Sequence, residues 1–212
     1  MDNREIKITN PTSKVALKII PGHFATSHSH INYYIDMSTM KTRQSEASEI
    51  AKAMAGQYSN NTVVDTIVCL DGCEVIGAYL AQELTNAGIL SVNMHKTMYI
   101  ITPEFNTSGQ MIFKENNLKA VRGKHILLLV ASVTTGKTVR KSMECIQYYS
   151  GIMTGISAIF SAVKQIDNTP INSVFTADDL PGYEAYKTHD CPFCKANQKL
   201  DAIVNSYGYI KL

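Results

Sequence analysis

The residues best suited to chemistry stand in one short polar turn in the middle of the chain. This turn follows an apolar run and precedes a segment with helical spacing. In such a strand, turn and helix, unpaired backbone N–H groups and the positive end of the helix dipole face the turn, which favours a bound anion. We therefore predict a phosphate site at Thr134, Thr135, Gly136, Lys137 and Thr138.

A buried strand and a helix must position this turn. Residues 126–130 are wholly apolar and bounded by polar residues, which is typical of a strand covered on both faces of a parallel sheet. Val139, Met143 and Ile146 recur at helical intervals, and Gly151 supplies a stop signal. The pattern therefore predicts one β-strand and one α-helix around the anion site.

A second junction of the same kind precedes the first. Residues 63–70 predict another buried strand, and residues 75–84 continue at helical spacing. A second phosphate-sized anion could bind the amides between them, although the glycine there would also suit an ordinary connection that passes close to the sheet. The residues of this turn are Asp71, Gly72, Cys73 and Glu74.

Strands that alternate with helices predict an α/β fold with a mostly parallel sheet, whose ligands bind beyond the carboxyl ends of the strands. Residues 43–58 predict a further helix, since their apolar positions recur every three or four residues. Pro21 and Gly22 predict a turn after an edge strand or a short helix end at residues 14–20. Other strands are expected at residues 89–94, 153–162 and 173–176, with a hairpin of residues 98–102 and 111–113 around a polar loop, residues 103–109.

Two segments carry histidines or cysteines. Residues 23–36 hold three histidines and two tyrosines, and predict either a loop and short strand that line a site or a surface loop with solvated histidines. Cys191 and Cys194 form a CxxC, which can supply two ligands of a tetrahedral zinc site. His189, or Cys69 and Cys73, could complete that site if the fold brings them near. A redox pair, or two cysteines that bind nothing, are the alternatives.

Length and composition limit the classes of function. A chain of 212 residues with 45% hydrophobic and 18% charged residues predicts a single domain, residues 1–212, with a CxxC-containing tail at residues 180–212. The net charge of +2 gives no argument for a nucleic-acid or membrane partner, and it leaves a phosphorylated small molecule as a possible ligand. An odd number of five cysteines and the lack of a signal-peptide pattern predict a cytoplasmic protein.

The central turn has two interpretations. Read backward from Gly136, Lys137 and Thr138, it is nearly a P-loop, with Ala131 in place of the first glycine. Alternatively, the stretch resembles the fingerprint of the type I phosphoribosyltransferases, and among these the orotate phosphoribosyltransferases. That fingerprint is an apolar strand, two acidic residues, two mostly aliphatic residues, then Thr-Thr-Gly and a small residue before Thr. The resemblance extends over residues 21–162, most of the chain.

The resemblance implies a mostly parallel sheet flanked by helices, with a small hood made by the N- and C-terminal parts. It implies transfer of a phosphoribosyl group from phosphoribosyl diphosphate to orotate or a similar base, with Mg²⁺ bridging the diphosphate. It also implies a homodimer in which residues 103–109 form a flexible cover. The implied site residues are Ser132, Val133, Thr134, Thr135, Gly136, Lys137 and Thr138 for the phosphate, Asp71, Gly72, Cys73 and Glu74 for the diphosphate, and Phe24, Ser27, Tyr33, Tyr34 and Lys96 for the base and loop.

The sequence departs from this fingerprint at its two acidic positions, where it has Val130 and Ala131. In the family those carboxylates hold the ribose hydroxyls and steady the positive charge that develops as diphosphate leaves. Losing one such electrostatic partner commonly costs about two to three orders of magnitude in rate. Two functions therefore follow: a transferase with a degenerate motif, or a weakly active or inactive relative that binds a nucleotide or phosphorylated sugar as a sensor.

Overall fold

A computed structural model describes residues 4–58, 61–86, 91–94, 97–205 and 207–212. Fourteen strands and five α-helices lie within these residues, together with three 3-10 helices at Glu115–Ala120, Ala177–Asp179 and Thr188–Asp190. The strands are β1 Ile6–Asn10, β2 Ser13–Ala25, β3 His30–Asp36, β4 Thr66–Cys69, β5 Tyr99–Ile101, β6 Glu104–Phe105, β7 Met111–Ile112, β8 His125–Val133, β9 Ile152–Ser161, β10 Gln165–Ile166, β11 Thr169–Thr176, β12 Ala185–Tyr186, β13 Ala202–Asn205 and β14 Gly208–Lys211. The helices are α1 Ser38–Thr42, α2 Gln44–Ala55, α3 Glu74–Asn86, α4 Lys137–Tyr148 and α5 Pro192–Lys195.

The larger sheet has the order β10-β11-β9-β8-β4-β5. Strands β11, β9, β8, β4 and β5 are parallel, and only the edge strand β10 runs antiparallel to its neighbour. Helices α2 and α3 share one hydrophobic cluster with one face of the sheet, and α4 shares a second cluster with the other face. Because both faces are covered, residues 126–131 of β8 are all buried, as their apolar run predicts.

A second sheet, which we call the hood, is built from both ends of the chain. Its order is β12-β3-β2-β13-β14, and β1 also pairs with β2. A small core of Ile20, Phe24, Ile31, Tyr34, Ala202 and Val204 fills it. The larger sheet with helices on both faces and the separate hood confirm the predicted fold class.

Three local predictions are wrong. Pro21 and Gly22 do not turn the chain but lie within β2, at an irregularity in its pairing with β3. A Cβ on Gly22 would lie 2.6 Å from Oδ2 of Asp201, so the glycine allows a close approach of the C-terminal segment. Residues 91–94, the described part of the strand predicted at 89–94, form a turn instead.

The hairpin is also paired differently from the prediction. Strand β5 joins the larger sheet as the parallel neighbour of β4, so it does not pair with residues 111–113. Strand β7 pairs instead with β6, which lies inside the segment predicted as a loop. Of the helices described, none has the length and apolar character needed to cross a membrane.

Candidate functional site

A cleft of about 240 Å³ lies where the carboxyl ends of β4 and β8 meet the hood. Both predicted anion turns contribute to it, because parallel strands end at the same edge of a sheet. Its polar part includes Lys41, Asp71, Ser132, Thr134 and Thr138, and its apolar part includes Ile31, Tyr34, Val130, Phe160 and Tyr183. One open site therefore has both a polar and an aromatic region.

The turn predicted to bind phosphate, residues 134–138, leads directly into the N-terminus of α4. Gly136 precedes the helix with a φ of 74°, and no side chain caps the helix there. The first intrahelical bond runs from the amide of Arg140 to the carbonyl of Gly136 at 2.9 Å. The amides of the first turn therefore have no partner within the helix and are directed toward its N-terminal end. The hydroxyl-bearing residues Ser132, Thr134 and Thr138 line the cleft beside them.

The other residues of this turn have different surroundings. Val133 is buried in the core, whereas Thr135 and Lys137 are exposed and outside the cleft lining. A Cβ on Gly136 would lie 2.6 Å from Cδ1 of Ile166, so the turn packs tightly against β10. Ala131, where a P-loop would have its first glycine, is inside β8. Only three residues separate strand from helix, so the P-loop interpretation is wrong because no wrapped loop exists there.

The second turn contributes Asp71 to the cleft. Asp71 and Gly72 have φ values of 58° and 77°, in the left-handed region that aspartate adopts more often than most other non-glycine residues. Cys73 is fully buried, and its backbone amide donates to the carbonyl oxygen of Leu70 at 3.1 Å, so it does not face the cleft as an anion donor. Glu74 begins α3 and accepts a hydrogen bond from Oγ1 of Thr102 at 2.8 Å. Of the four predicted diphosphate residues, only Asp71 is among those that line the cleft.

Lys41 is a cleft residue that sequence reasoning missed. Its Nζ donates to the carbonyl oxygen of Asp71 at 2.8 Å, and only 6% of the residue is exposed. The ammonium also lies 5.8 Å from the ring centre of Tyr207. Lys41 thus places a positive charge beside the second turn. The sequence carries no signal for this, since a lysine in the five-residue helix α1 resembles any surface lysine.

The apolar wall of the cleft comes mainly from the hood and from β9. Burial, with a smaller effect of nearby Asp36, raises the pKa of Tyr34 to about 12, so Tyr34 is a neutral phenol at physiological pH. Tyr183 packs edge-on against Phe160, with ring centres 5.2 Å apart. Burial also raises the pKa of Tyr183, and its hydroxyl is buried without a hydrogen-bond partner among the described residues. Sequence reasoning also missed Tyr183, although its position after Pro181-Gly182 marks a turn.

The residues predicted to contact the base are only partly brought together. Ser27 and Tyr34 line the cleft, as do Thr26 and His28 of the turn between β2 and β3. Phe24 is buried in the hood core, and the hydroxyl of Tyr33 donates to the carbonyl of Pro181 at 3.4 Å. Lys96 lies outside the described residues. No described residue of the predicted cover, 103–109, lines the cleft, since that segment includes β6 of the outer hairpin.

The cysteines of the tail form a separate cluster. Cys191 and Cys194 converge with His23 and His30, and all four potential ligand atoms lie within 4.8 Å of one another. The interpretation of residues 23–36 as a solvated loop is therefore wrong for His23 and His30, which are buried. The predicted completion of this site is wrong as well. His189 is exposed and contacts Asp190 at 3.0 Å, and Cys69 and Cys73 are buried in the core beside the larger sheet.

The protein resembles known proteins in structure but not detectably in sequence. No protein-family model matches the sequence, and no curated protein matches it significantly. UMP synthase of Leishmania donovani superposes with a TM-score of 0.55 at 14% identity, over 85% of this chain and 36% of that chain. Orotate phosphoribosyltransferase of Mycobacterium tuberculosis, in complex with phosphoribosyl diphosphate, superposes with a TM-score of 0.51 at 12% identity, over 69% of this chain and 82% of that chain. Adenine phosphoribosyltransferase of Thermoanaerobacter pseudethanolicus superposes with a TM-score of 0.51 at 14% identity, over 68% of this chain and 88% of that chain.

This chain has the type I phosphoribosyltransferase fold. Val130 and Ala131 are the residues that the predicted resemblance aligns with the acidic positions of the fingerprint. Val130 is 1% exposed and lines the cleft, whereas Ala131 is fully buried against the side of the sheet that faces α2 and α3. Asp71 is the sole carboxylate among the described residues of the cleft lining. Asp65 lies at the opposite edge of the sheet, bonded to His125, and is not among the residues that line the cleft.

Proposed function

We propose that the protein binds phosphoribosyl diphosphate in this cleft and transfers its phosphoribosyl group to orotate or a similar planar base. The observation that carries the proposal is the convergence of two anion turns, a buried lysine and an aromatic wall on one cleft of a phosphoribosyltransferase fold. The Mycobacterium tuberculosis protein that shares this fold binds phosphoribosyl diphosphate, which gives the ligand class.

The ribose phosphate would bind at the N-terminus of α4. The amides of the first helical turn have no intrahelical partners, and the helix dipole adds a partial positive charge at the same place. Hydroxyl groups of Thr134 and Thr138 supply further donors from the cleft wall. Gly136 allows the turn to pass beside Ile166 without a side chain in between.

The diphosphate would lie near Asp71 and Lys41. The Lys41 ammonium can pair with a phosphate oxygen, and hydrogen bonds to charged groups contribute about 1.5–3 kcal/mol. Mg²⁺ prefers oxygen ligands and is usually held by one or two carboxylates together with substrate phosphates. Asp71 fits this role as the single carboxylate of the described lining. When bound, the metal would neutralise charge on the departing diphosphate.

The base would stack on the aromatic wall. Ile31, Tyr34 and Phe160 supply apolar surface for a flat ring. The buried hydroxyl of Tyr183 has no partner among the described residues, and a buried polar group without a partner is costly. A carbonyl or ring nitrogen of a bound base would satisfy that hydroxyl. This feature supports an aromatic heterocycle as the acceptor.

A second candidate function rests on Val130 and Ala131. Neither side chain can balance the positive charge that develops on the sugar, and neither can bind ribose hydroxyls. Those two residues therefore favour a sensor, which would use the same cleft to bind a nucleotide or phosphorylated sugar without turnover.

One experiment separates the two functions. The purified protein is titrated calorimetrically with phosphoribosyl diphosphate and Mg²⁺, and diphosphate release is then measured with orotate and with adenine. Binding followed by turnover at ordinary enzyme rates would exclude the sensor. Binding without turnover would exclude the transferase, and the absence of binding would exclude both.

Restoring one carboxylate sharpens this test. Val130→Asp places an acid on the cleft wall, so we expect diphosphate release to rise about tenfold or more if the rest of the site is competent. Val130→Asn is the matched control because it has a similar shape without the charge. A rise with both variants, or with neither, would show that charge at position 130 does not limit the reaction.

We also propose a cytoplasmic homodimer. The cytoplasm suits five cysteines that are all free. Exposed apolar side chains occur on edge strand β5, at the start of α3 and on β6, where another subunit could cover them. These are Val75, Tyr99, Ile100 and Phe105.

A further inference from the structure

Four side chains from distant parts of the sequence meet at the side of the hood. Nε2 of His23 lies 3.0 Å from Nδ1 of His30 and 3.4 Å from Sγ of Cys191. Sγ of Cys194 lies 3.6 Å from Nε2 of His23 and 3.3 Å from Nδ1 of His30. Each residue thus directs one nitrogen or sulfur atom at a common centre.

These separations suit a tetrahedral zinc ion. Zinc binds histidine nitrogen at about 2.0–2.1 Å and cysteine sulfur at about 2.3 Å, which places tetrahedral ligand atoms roughly 3.3–3.8 Å apart. Three of the four separations given above lie within that interval, and the 3.0 Å between the two imidazole nitrogens is slightly shorter. Two imidazoles and two thiolates are also a common ligand set of structural zinc sites. We propose that His23, His30, Cys191 and Cys194 bind one zinc ion that ties the C-terminal segment to the hood.

The surroundings orient His23 as a ligand. Its Nδ1 lies 3.0 Å from the carbonyl oxygen of Gln198, which can only accept a hydrogen bond. Nδ1 therefore carries the proton, and Nε2 directs its lone pair toward the cluster. A second partner of this kind is usual for histidines that bind a metal, because it fixes the ring orientation. The backbone amide of His23 is held too, by Oδ2 of Asp201 at 2.8 Å.

The burial of the cluster indicates a structural site. Cys191, His23 and His30 are 0%, 1% and 7% exposed, and Cys194 is at the surface. Four protein ligands occupy all four coordination positions of a tetrahedral zinc ion and leave none for substrate or water. A redox pair would need only the two cysteines, so it does not account for two buried imidazole nitrogens in contact with their sulfur atoms.

The position of the site links it to the cleft. None of the four residues is among those that line the cleft. His23 and His30 instead flank the turn between β2 and β3, and Thr26, Ser27 and His28 of that turn do line it. A bound zinc ion would therefore hold both ends of one cleft wall without touching the ligand.

The first test is metal content. The protein is produced with added zinc and without a histidine tag, and zinc is counted by mass spectrometry. We expect about one zinc per chain, and near-complete loss in Cys191→Ser and Cys194→Ser. The control His189→Ala changes an exposed histidine beside the same motif and should keep the full amount. Far less than one zinc per wild-type chain, or full zinc in Cys194→Ser, would overturn the proposal.

A second measurement avoids variants that could misfold. Zinc is removed from the wild-type protein with a chelator under reducing conditions, and Co²⁺ is added in steps. Tetrahedral coordination by two thiolates should give strong visible absorption that saturates at one equivalent. Only the weak absorption of octahedral Co²⁺, or a Cys191–Cys194 disulfide in the reduced preparation, would contradict the assignment. Neither readout depends on a phosphoribosyl ligand, so the zinc site can fail while the proposed function stands, or the reverse.

Discussion

At the scale of single residues, Lys41 makes the most specific prediction about ligand binding. It is buried beside the cleft and donates to the backbone of Asp71. Lys41→Met should weaken binding of phosphoribosyl diphosphate by about 10- to 100-fold, because hydrogen bonds to charged groups contribute about 1.5–3 kcal/mol. Calorimetric titration measures the change.

Lys18→Met is the matched control for this substitution. Lys18 bonds Thr39 of the same helix α1 but is not among the residues that line the cleft. Its replacement should leave affinity within about twofold, while thermal unfolding checks that both variants stay folded. Equal loss of affinity in the two variants would mean that Lys41 acts through general charge alone.

Substitutions at Gly136 and Gly182 distinguish the cost of backbone strain from the cost of steric contact. Both have a φ of 74°, but a Cβ on Gly182 meets nothing within 4 Å, whereas one on Gly136 meets Ile166. Gly182→Ala should cost about 1–2 kcal/mol of unfolding free energy through its backbone conformation. Gly136→Ala should cost more and should also weaken phosphate binding. Urea unfolding and phosphate titration test this, and equal stability losses would show that contact with Ile166 is unimportant.

At the scale of elements, Asp65 joins the amino ends of β4 and β8. Its Oδ2 accepts hydrogen bonds from the backbone amide of His125 at 2.9 Å and from its Nδ1 at 2.8 Å. Burial favours the neutral acid, but the hydrogen bonds from His125 and the electrostatic effects of His125 and Lys124 outweigh it, so the pKa of Asp65 is lowered. The stabilisation is therefore complete above the unfolded-state pKa of about 3.9 and is lost as pH falls through the lower folded-state pKa.

Asp65→Asn should cost about 1 kcal/mol at neutral pH, since the contact is partly exposed. The variant should also lose less stability than the wild type when the pH falls below about 4. Urea unfolding across that interval gives both values. Asp167→Asn, which removes an exposed contact with Arg140, should have the smaller effect. A variant with the same acid sensitivity as the wild type would contradict the role given to Asp65.

Elements of the larger sheet were largely predictable from sequence, and those of the hood were not. Buried parallel strands such as β8 are continuous apolar runs, and α2 and α3 repeat at helical spacing, so local pattern suffices. Strand β5 pairs with β4, and β6 pairs with β7. The local sequence pattern does not determine which strand becomes the neighbour of another, so these pairings were not predicted. The sequence predicted two ligands of the proposed zinc site, the cysteines of the CxxC. The two histidines come close to these cysteines only through the pairing of β2, β3 and β13 in the hood. Lys41 and Tyr183 likewise reach the cleft only through tertiary packing, which the local sequence pattern does not predict.

At the scale of the whole molecule, the exposed apolar groups around β5 predict self-association. Tyr99→Glu combined with Ile100→Glu should shift the protein from dimer to monomer, because charges at the centre of an interface are costly to bury. Light scattering during size-exclusion chromatography measures the mass. Ile152→Glu is the control, since Ile152 is exposed at the start of β9, away from this patch. Wild-type protein that is monomeric throughout would exclude the dimer.

The hood also has a consequence for protein synthesis. Strand β2 pairs with β13, and the amide of His23 is bonded to Asp201, which lies 178 residues further along the chain. Residues 13–36 therefore leave the ribosome long before their partners are made. The hood wall of the cleft can therefore form only in the final stage of translation, so a stalled or shortened polypeptide would carry a finished turn before α4 with no hood wall facing it.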